Sequence, residues 1–196
     1  MKNNVGRPKT FVKDEILKLA MHHFWEYGYD STSLDDLLLA MGIKKSSFYS
    51  TFKSKEELFS NCLSLYREEI SDKLNLLRED IGEKQAMLML TTITVNELRD
   101  TGKVKGCLLM NSGKECYKKY NNLSSQITKE FGFMQKLFTE FIYKAQQKGE
   151  ILNKKDAKVI SGRYMNSLNG LIVSIQAGAS NELVADLVKS LEEMIE

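Results

Sequence analysis

Apolar residues recur at helical spacing along most of the chain, and glycines with hydroxyl or acidic caps cut the pattern into segments. Ile16, Leu19, Ala20, Phe24 and Tyr27 mark one face of a helix expected over 10–27. Thr10 suits its cap, Asp14 and Glu15 its positive end, and Gly28 its stop. Ser33 followed by Asp35 and Asp36 reads as an N-cap with acids in the first turn. It opens a short helix through Leu37, Leu38, Leu39 and Ala40 that closes at Gly42. After the turn at Gly42-Ile43, a very short helix is expected over 45–51. Ser54-Lys55-Glu56-Glu57 then has the form of a capping box, with Glu57 reaching back to Ser54. The long helix it opens carries Leu58, Cys62, Leu65 and Tyr66 and extends to about residue 77.

Helices are further expected over 83–99, 107–120, 124–147, 155–177 and 182–195, with Gly102 and Gly106 bracketing a loop and Gly149 ending the longest. The chain holds no internal repeat and no low-complexity segment, and its scarcity of proline and wealth of Leu, Lys, Glu and Met favour helix over sheet. The fold class is therefore all-α. A three-helix head fills about residues 1–53, and a larger helical unit fills 54–196.

Composition agrees. The 196 residues are 42% hydrophobic and 28% charged, and the one proline, Pro8, precedes the first helix. No apolar run approaches the roughly 18–20 residues that span a bilayer, and the start lacks the apolar stretch of a secretory signal. A cytoplasmic protein with no membrane partner is expected. Cys62, Cys107 and Cys116 have no CxxC spacing, so neither a disulfide framework nor a metal site is suggested. No Ser/His/Asp set, P-loop or dinucleotide fingerprint is present, which argues against an enzyme and against a cofactor.

The net charge of +2 matters less than its placement. Lys2, Arg7, Lys9 and Lys13 have no acid among them, and neither do Lys44, Lys45, Lys53 and Lys55. Two such patches suit a phosphate backbone, and equally suit two solvated surfaces. Two short helices around a glycine turn, the second rich in basic and hydroxyl side chains, form the helix-turn-helix pattern. Glycine-turned helical hairpins also occur in proteins that do not bind DNA.

Specific residues carry the reading further. Gly28-Tyr29-Asp30-Ser31-Thr32-Ser33-Leu34, Ala40-Met41-Gly42-Ile43, Ser47-Phe48-Tyr49 and Phe52-Lys53-Ser54-Lys55-Glu56-Glu57-Leu58 closely resemble the TetR family of repressors, densely over about 6–60. Farther on, two local signatures are similar. One is Gly106-Cys107-Leu108-Leu109 with Asn111 and Glu115. The other is Gly149-Glu150-Ile151 leading into a helix that ends Gly170-Leu171 and Gly178-Ala179. The resemblance implies an Ω-shaped homodimer on double-stranded, palindromic operator DNA. Each subunit would give one head, a fourth helix joining head to body, and two last helices for a four-helix dimer bundle.

It also implies site residues. Tyr49 and Lys55 match backbone contacts of the family. Lys55, a cation at the positive end of its helix, is electrostatically misplaced unless a phosphate docks there. Lys44, Lys45, Ser46, Ser47 and Ser50 are candidates for the groove, while Phe48 should turn inward with Leu38 and Ile43. Many relatives have Ser-Lys-Gly-Thr where this chain has Lys44-Lys45-Ser46-Ser47, so the helix starts on a poor cap and its base preference is open. Thr32 and Ser33 are further phosphate candidates, although Ser33 is also explained as a cap. Arg7, in Gly6-Arg7-Pro8-Lys9, resembles the basic arm that lies in a minor groove; a plain basic tail explains it as well.

In the larger unit, Tyr66, Met87, Asn111, Phe131, Met134 and Phe138 are candidates for contact with an unidentified small apolar or aromatic effector. Tyr164, Leu168, Leu171, Ile175, Leu187 and Leu191 form stripes expected at the dimer interface. Cys107, at a helix start after Lys103 and Lys105, is either a reactive thiol in an electrophile- or redox-sensing repressor or an inert packing residue. His22 and His23 read as helix-surface or core-edge residues.

Overall fold

The structure is a computed structural model that describes the backbone of residues 9–101 and 105–196 and the side chains of 13–97 and 105–196. The arm with Arg7 and the lysine at 103 lie outside the described residues. Nine helices are described: α1 (Lys9–Tyr27), α2 (Leu34–Met41), α3 (Lys45–Thr51), α4 (Lys55–Ile81), α5 (Glu83–Thr101), α6 (Leu108–Cys116), α7 (Asn121–Lys148), α8 (Ala157–Gln176) and α9 (Asn181–Met194). No strand occurs among the described residues.

Local chemistry explains most boundaries. Ser33 caps α2 through a full capping box with Asp36, and Gly42 closes it in the left-handed region at φ 63°. Ser54 accepts from the Glu57 N–H at the start of α4. Gly149 ends α7 at φ 74°. Three expectations shift. Thr10 lies inside α1 rather than at its cap, and α4 continues to Ile81. The helix expected over 107–120 is α6 alone, because Lys118 turns left-handed (φ 60°) and Tyr120 becomes the N-cap of α7.

Packing selects which apolar residues count. In the head, Phe48 and Phe52 of α3 and its cap lie under α1 and α2 with Ala20, Met21, Phe24, Leu37 and Met41, all buried. Phe24 meets Phe59 of α4 edge-on at 4.7 Å between ring centroids, and Tyr29 packs on the same ring at 4.9 Å with the planes tilted by 35°. Leu19 and Tyr27, expected on the buried face of α1, are about half exposed. Tyr27 pairs with His23 on the open side instead.

At about 1.5 Å per residue, α4 is about 40 Å long. Its first half completes the core of the head and its second half packs on α5 and α7. Glu130 of α7 is buried beneath it, bonded by Ser64, Arg67 and Gln126. In the body, Tyr164 of α8 donates its hydroxyl to the Met87 carbonyl at 2.7 Å and pairs with Thr91.

That packing corrects part of the expected dimer surface. Tyr164, Leu171 and Leu191 are at most 1% exposed inside the subunit, so a second copy has no access to them. Apolar spacing marks a buried stripe and leaves open which neighbour buries it; here the neighbours are α5, α7 and the facing sides of α8 and α9. Leu168, Ile175 and Leu187 are half-buried. The open sides of α8 and α9 carry Val159, Gly170, Val173 and Leu183.

Candidate nucleic-acid interface and adjoining cavity

α3 presents Lys45, Ser46, Ser47, Tyr49 and Ser50 to solvent, with Lys44 just before it and Phe48 fully buried behind. The pattern follows from a helix of about two turns resting on an apolar floor through Phe48. Lys44 stands at the N-cap without a side-chain cap bond, as its chemistry requires. Ser50 and Thr51 both donate to the Ser47 carbonyl. Exposed Ser33 adds a hydroxyl at the start of α2, bonded there to Asp36. The arrangement offers lysines, hydroxyls and a half-exposed phenol on one solvent-facing surface, the chemistry that meets phosphates and base edges.

Two expected phosphate ligands are placed differently. Thr32 is 1% exposed and donates its hydroxyl to the Gly28 carbonyl at 2.6 Å, so its side chain has no path to a phosphate. Lys55 turns inward. Its ammonium donates to the Tyr29 carbonyl at 2.7 Å and the Thr32 carbonyl at 2.6 Å, 4.2 Å from the Tyr29 ring centroid. Partial desolvation lowers its pKa. A cation at a positive helix end is thus explained by carbonyls of the preceding loop without any phosphate.

The same loop is gripped from the other side. Glu115 of α6 accepts the Tyr29 N–H at 2.9 Å and the Asp30 N–H at 2.6 Å, and its carboxylate lies against Gly28. Asp30 in turn accepts from Lys119 and from the Tyr120 hydroxyl, and these bonds hold its carboxyl below the usual range. Glu115 and Lys55 therefore clamp the donors and the acceptors of loop 28–32 between head and body. Asp30, Lys119 and this use of Lys55 were not foreseen from the sequence. Glu115 stood out only as part of a local signature.

Beside the clamp lies a cavity of about 710 Å³ bounded by α1, α4, α5, α7, α8 and the segment leading into α6. Tyr66, Phe131, Met134 and Phe138 stand in its wall, and so does Leu168. Met87 and Asn111 do not. Met87 is buried in the core beside Tyr164, and Asn111 donates its amide to the Lys105 carbonyl at 2.7 Å. Three α1 residues, His22, Trp25 and Glu26, share the wall. Trp25 escaped the sequence reading because it falls between apolar and polar positions of α1. Its one usable signal is that a lone tryptophan on a mixed face needs a partner for its N–H.

Cys107 also lines the cavity, as N-cap of α6. Burial pushes its thiol up; the Met110 and Leu109 N–H groups and the Tyr66 hydroxyl pull it part of the way back. Cys62 is buried and raised outright, and burial lifts Cys116 to about 11. No group of three or more metal-ligating side chains occurs among the described residues. No described helix is long and apolar enough to cross a membrane.

The family model for bacterial regulatory proteins of the tetR family matches residues 16–62. The uncharacterized HTH-type transcriptional regulator YezE of Bacillus subtilis is 32% identical over 164 residues, covering 83% of this chain and 84% of that protein. Among solved structures, E. coli NemR in its reduced form superposes with a TM-score of 0.83 at 17% identity, over 95% of this chain and 97% of that one. A cysteine variant of the TetR family regulator CifR, in a structure with 26-bp double-strand operator DNA, gives 0.75 at 26% identity, over 95% and 98%.

Proposed function

Because the chain belongs to the TetR family of bacterial transcription regulators, we propose that it is a cytoplasmic, homodimeric repressor that grips a palindromic operator and releases it when a small apolar or aromatic molecule fills the cavity. Residues 1–53 serve as the head and 54–196 as the effector-binding and dimerisation unit, with α4 common to both. Lys44, Lys45, Ser46, Ser47, Tyr49 and Ser50 meet the DNA, joined by Ser33 at the start of α2 and by the arm with Arg7. Lys55 holds the loop and keeps one N–H to offer a phosphate. Val159, Val173 and Leu183, with Ile175 and Leu187, meet the second copy.

One observation carries the reading: the largely apolar cavity is walled in part by α1, the helix that packs on α2 and α4 in the head, so its contents bear on the core of the head. Tyr66, Phe131, Met134 and Phe138 give it an aromatic, adaptable wall suited to a flat apolar molecule. The test is to select duplexes from a random library with the purified chain, measure affinity for the enriched sequence, and then add aromatic compounds. An enriched inverted repeat, lost on adding one of them, is the expected result. No enrichment overturns the operator reading.

A second reading, an electrophile- or redox-sensing repressor acting through Cys107, has in its favour the place of that thiol in the cavity wall. Its raised pKa opposes it. N-ethylmaleimide should leave operator binding unchanged in the native chain and in Cys107→Ser alike. Release of the native chain alone would establish the sensor.

A further inference from the structure

The cavity touches the head through a hydrogen bond that an occupant can take over. Trp25 is half-buried, its ring nearly perpendicular to that of Tyr66 at 5.0 Å between centroids. Its indole N–H donates to the Gly106 carbonyl at 2.9 Å, and both residues belong to the cavity wall. An indole carries one hydrogen and accepts none, so a new acceptor must displace the old one. The segment that holds Gly106 is tied in place, because Asn111 donates its amide to the adjacent Lys105 carbonyl at 2.7 Å. The Gly106 backbone is left-handed at φ 68°, and a Cβ there would lie 2.8 Å from Gln176 Nε2 and 3.3 Å from Ile172 Cγ2. The next residue, Cys107, begins α6, whose other end holds loop 28–32 through Glu115.

We infer that Trp25 selects among cavity occupants by their chemistry. A flat aromatic body bearing a neutral hydrogen-bond acceptor, such as an aryl ketone, takes the indole hydrogen from Gly106. A hydrocarbon of the same outline fills the cavity and leaves that bond intact. The inference rests on the effector reading of the cavity. A carbonyl buried beside Phe131, Met134 and Phe138 gives up its water and needs a donor in return. Among the other polar groups of the wall, Thr94 donates to the Leu90 carbonyl, Asn169 gives one amide hydrogen to the Met165 carbonyl, and the Tyr66 hydroxyl is set against Cys107. His22 and Lys73 are exposed, where water competes with a ketone for them, and Lys105 holds its ammonium 5.9 Å from the Trp25 ring centroid. Once Gly106 loses its donor, α6 is released from α1 at its amino end and pulls on the loop only through Glu115.

Nuclear magnetic resonance on the full chain tests this with naphthalene and 2-acetylnaphthalene as probes. The chain has a single tryptophan, so its indole N–H gives one cross-peak. The ketone should shift that proton and the Gly106 carbonyl carbon together, and speed exchange of the Tyr29 and Asp30 amides. Naphthalene should bind yet leave the Gly106 carbonyl and both amides unmoved. Trp25→Phe keeps a ring and loses the donor; it should bind naphthalene like the native chain and the ketone about tenfold more weakly. The inference is overturned if both probes move the Gly106 carbonyl alike, if the ketone binds without moving it, or if the variant weakens both probes equally. The native titrations decide this even if the variant folds poorly. If neither probe binds, the effector reading falls and this inference with it; if both bind without discrimination, the inference falls alone.

Discussion

Glu115→Ala removes the carboxylate that ties the body to loop 28–32, and its cost follows from the two bonds lost. The Tyr29 N–H is partly buried, and a hydrogen bond of that kind to a charged acceptor contributes about 1.5–3 kcal/mol. The Asp30 N–H is exposed and finds water, so its loss adds only about 0.5 kcal/mol. The total is about 2–3.5 kcal/mol. For a chain of this length each kcal/mol moves Tm by about 2–4 °C, which gives a drop of about 4–14 °C. Glu115→Gln keeps one acceptor oxygen and should lose about half as much. Thermal and urea melts of the three proteins measure the effect, and amide exchange at Tyr29 localises it. Glu115→Ala melting within error of the native chain, with Tyr29 still protected, would refute the clamp.

Lys55→Ala strips two carbonyls of their donor and should cost about 1–3 kcal/mol in urea melts. It should also lower the salt slope of DNA affinity by about one per phosphate contact; an unchanged slope assigns Lys55 to the loop alone. Gly106→Ala puts a Cβ on a left-handed backbone and 3.3 Å from Ile172 Cγ2, and should destabilise by about 1–3 kcal/mol; an unchanged melt contradicts that strain. Val173→Glu with Leu183→Glu should give a folded monomer in sedimentation, whereas Leu191→Glu should unfold the chain; the reverse pattern would return the interface to the buried stripe. Asp30 has a lowered pKa, so its tie to Lys119 is complete above the ordinary value of about 3.9 and is lost as pH falls through the folded value below that. Protection of the loop amides, with the intrinsic pH dependence of exchange divided out, should be flat from pH 8 to 5, and a loss of protection within that window would contradict the assignment.

Helix existence and caps were legible because they depend on neighbours in sequence. Ser33, Gly42, Ser54 and Gly149 act within four residues of themselves. Phe48 could be turned inward by the same local logic. Side chains that answer to distant partners were not legible. Thr32 looks like a phosphate ligand until the carbonyl of 28 is seen to occupy its hydroxyl, and nothing local shows that the carbonyls of 29 and 32 take two of the three hydrogens of Lys55. Tyr164, Leu171 and Leu191 show the periodicity of an interface, and only the packing of α5, α7 and α9 reveals that one subunit buries them by itself. Met87 and Phe138 both read as apolar helix residues; their neighbours send one to the core and the other to the cavity wall.

Under the proposed function the two faces of α1 belong to different tasks. Ala20, Met21 and Phe24 lie in the core beneath the surface proposed to meet DNA, while His22, Trp25 and Glu26 wall the cavity. The head is therefore not a transferable module. A chimera that joins residues 1–53 to the body of another regulator would import part of a foreign binding site along with the operator preference. Conversely, a new head on this body would change which molecules the hybrid answers to, even with every residue of α4–α9 retained. Engineering and natural recombination in such a chain would have to adjust recognition of DNA and recognition of small molecules together, and the helix where the two trades meet is the one to redesign first.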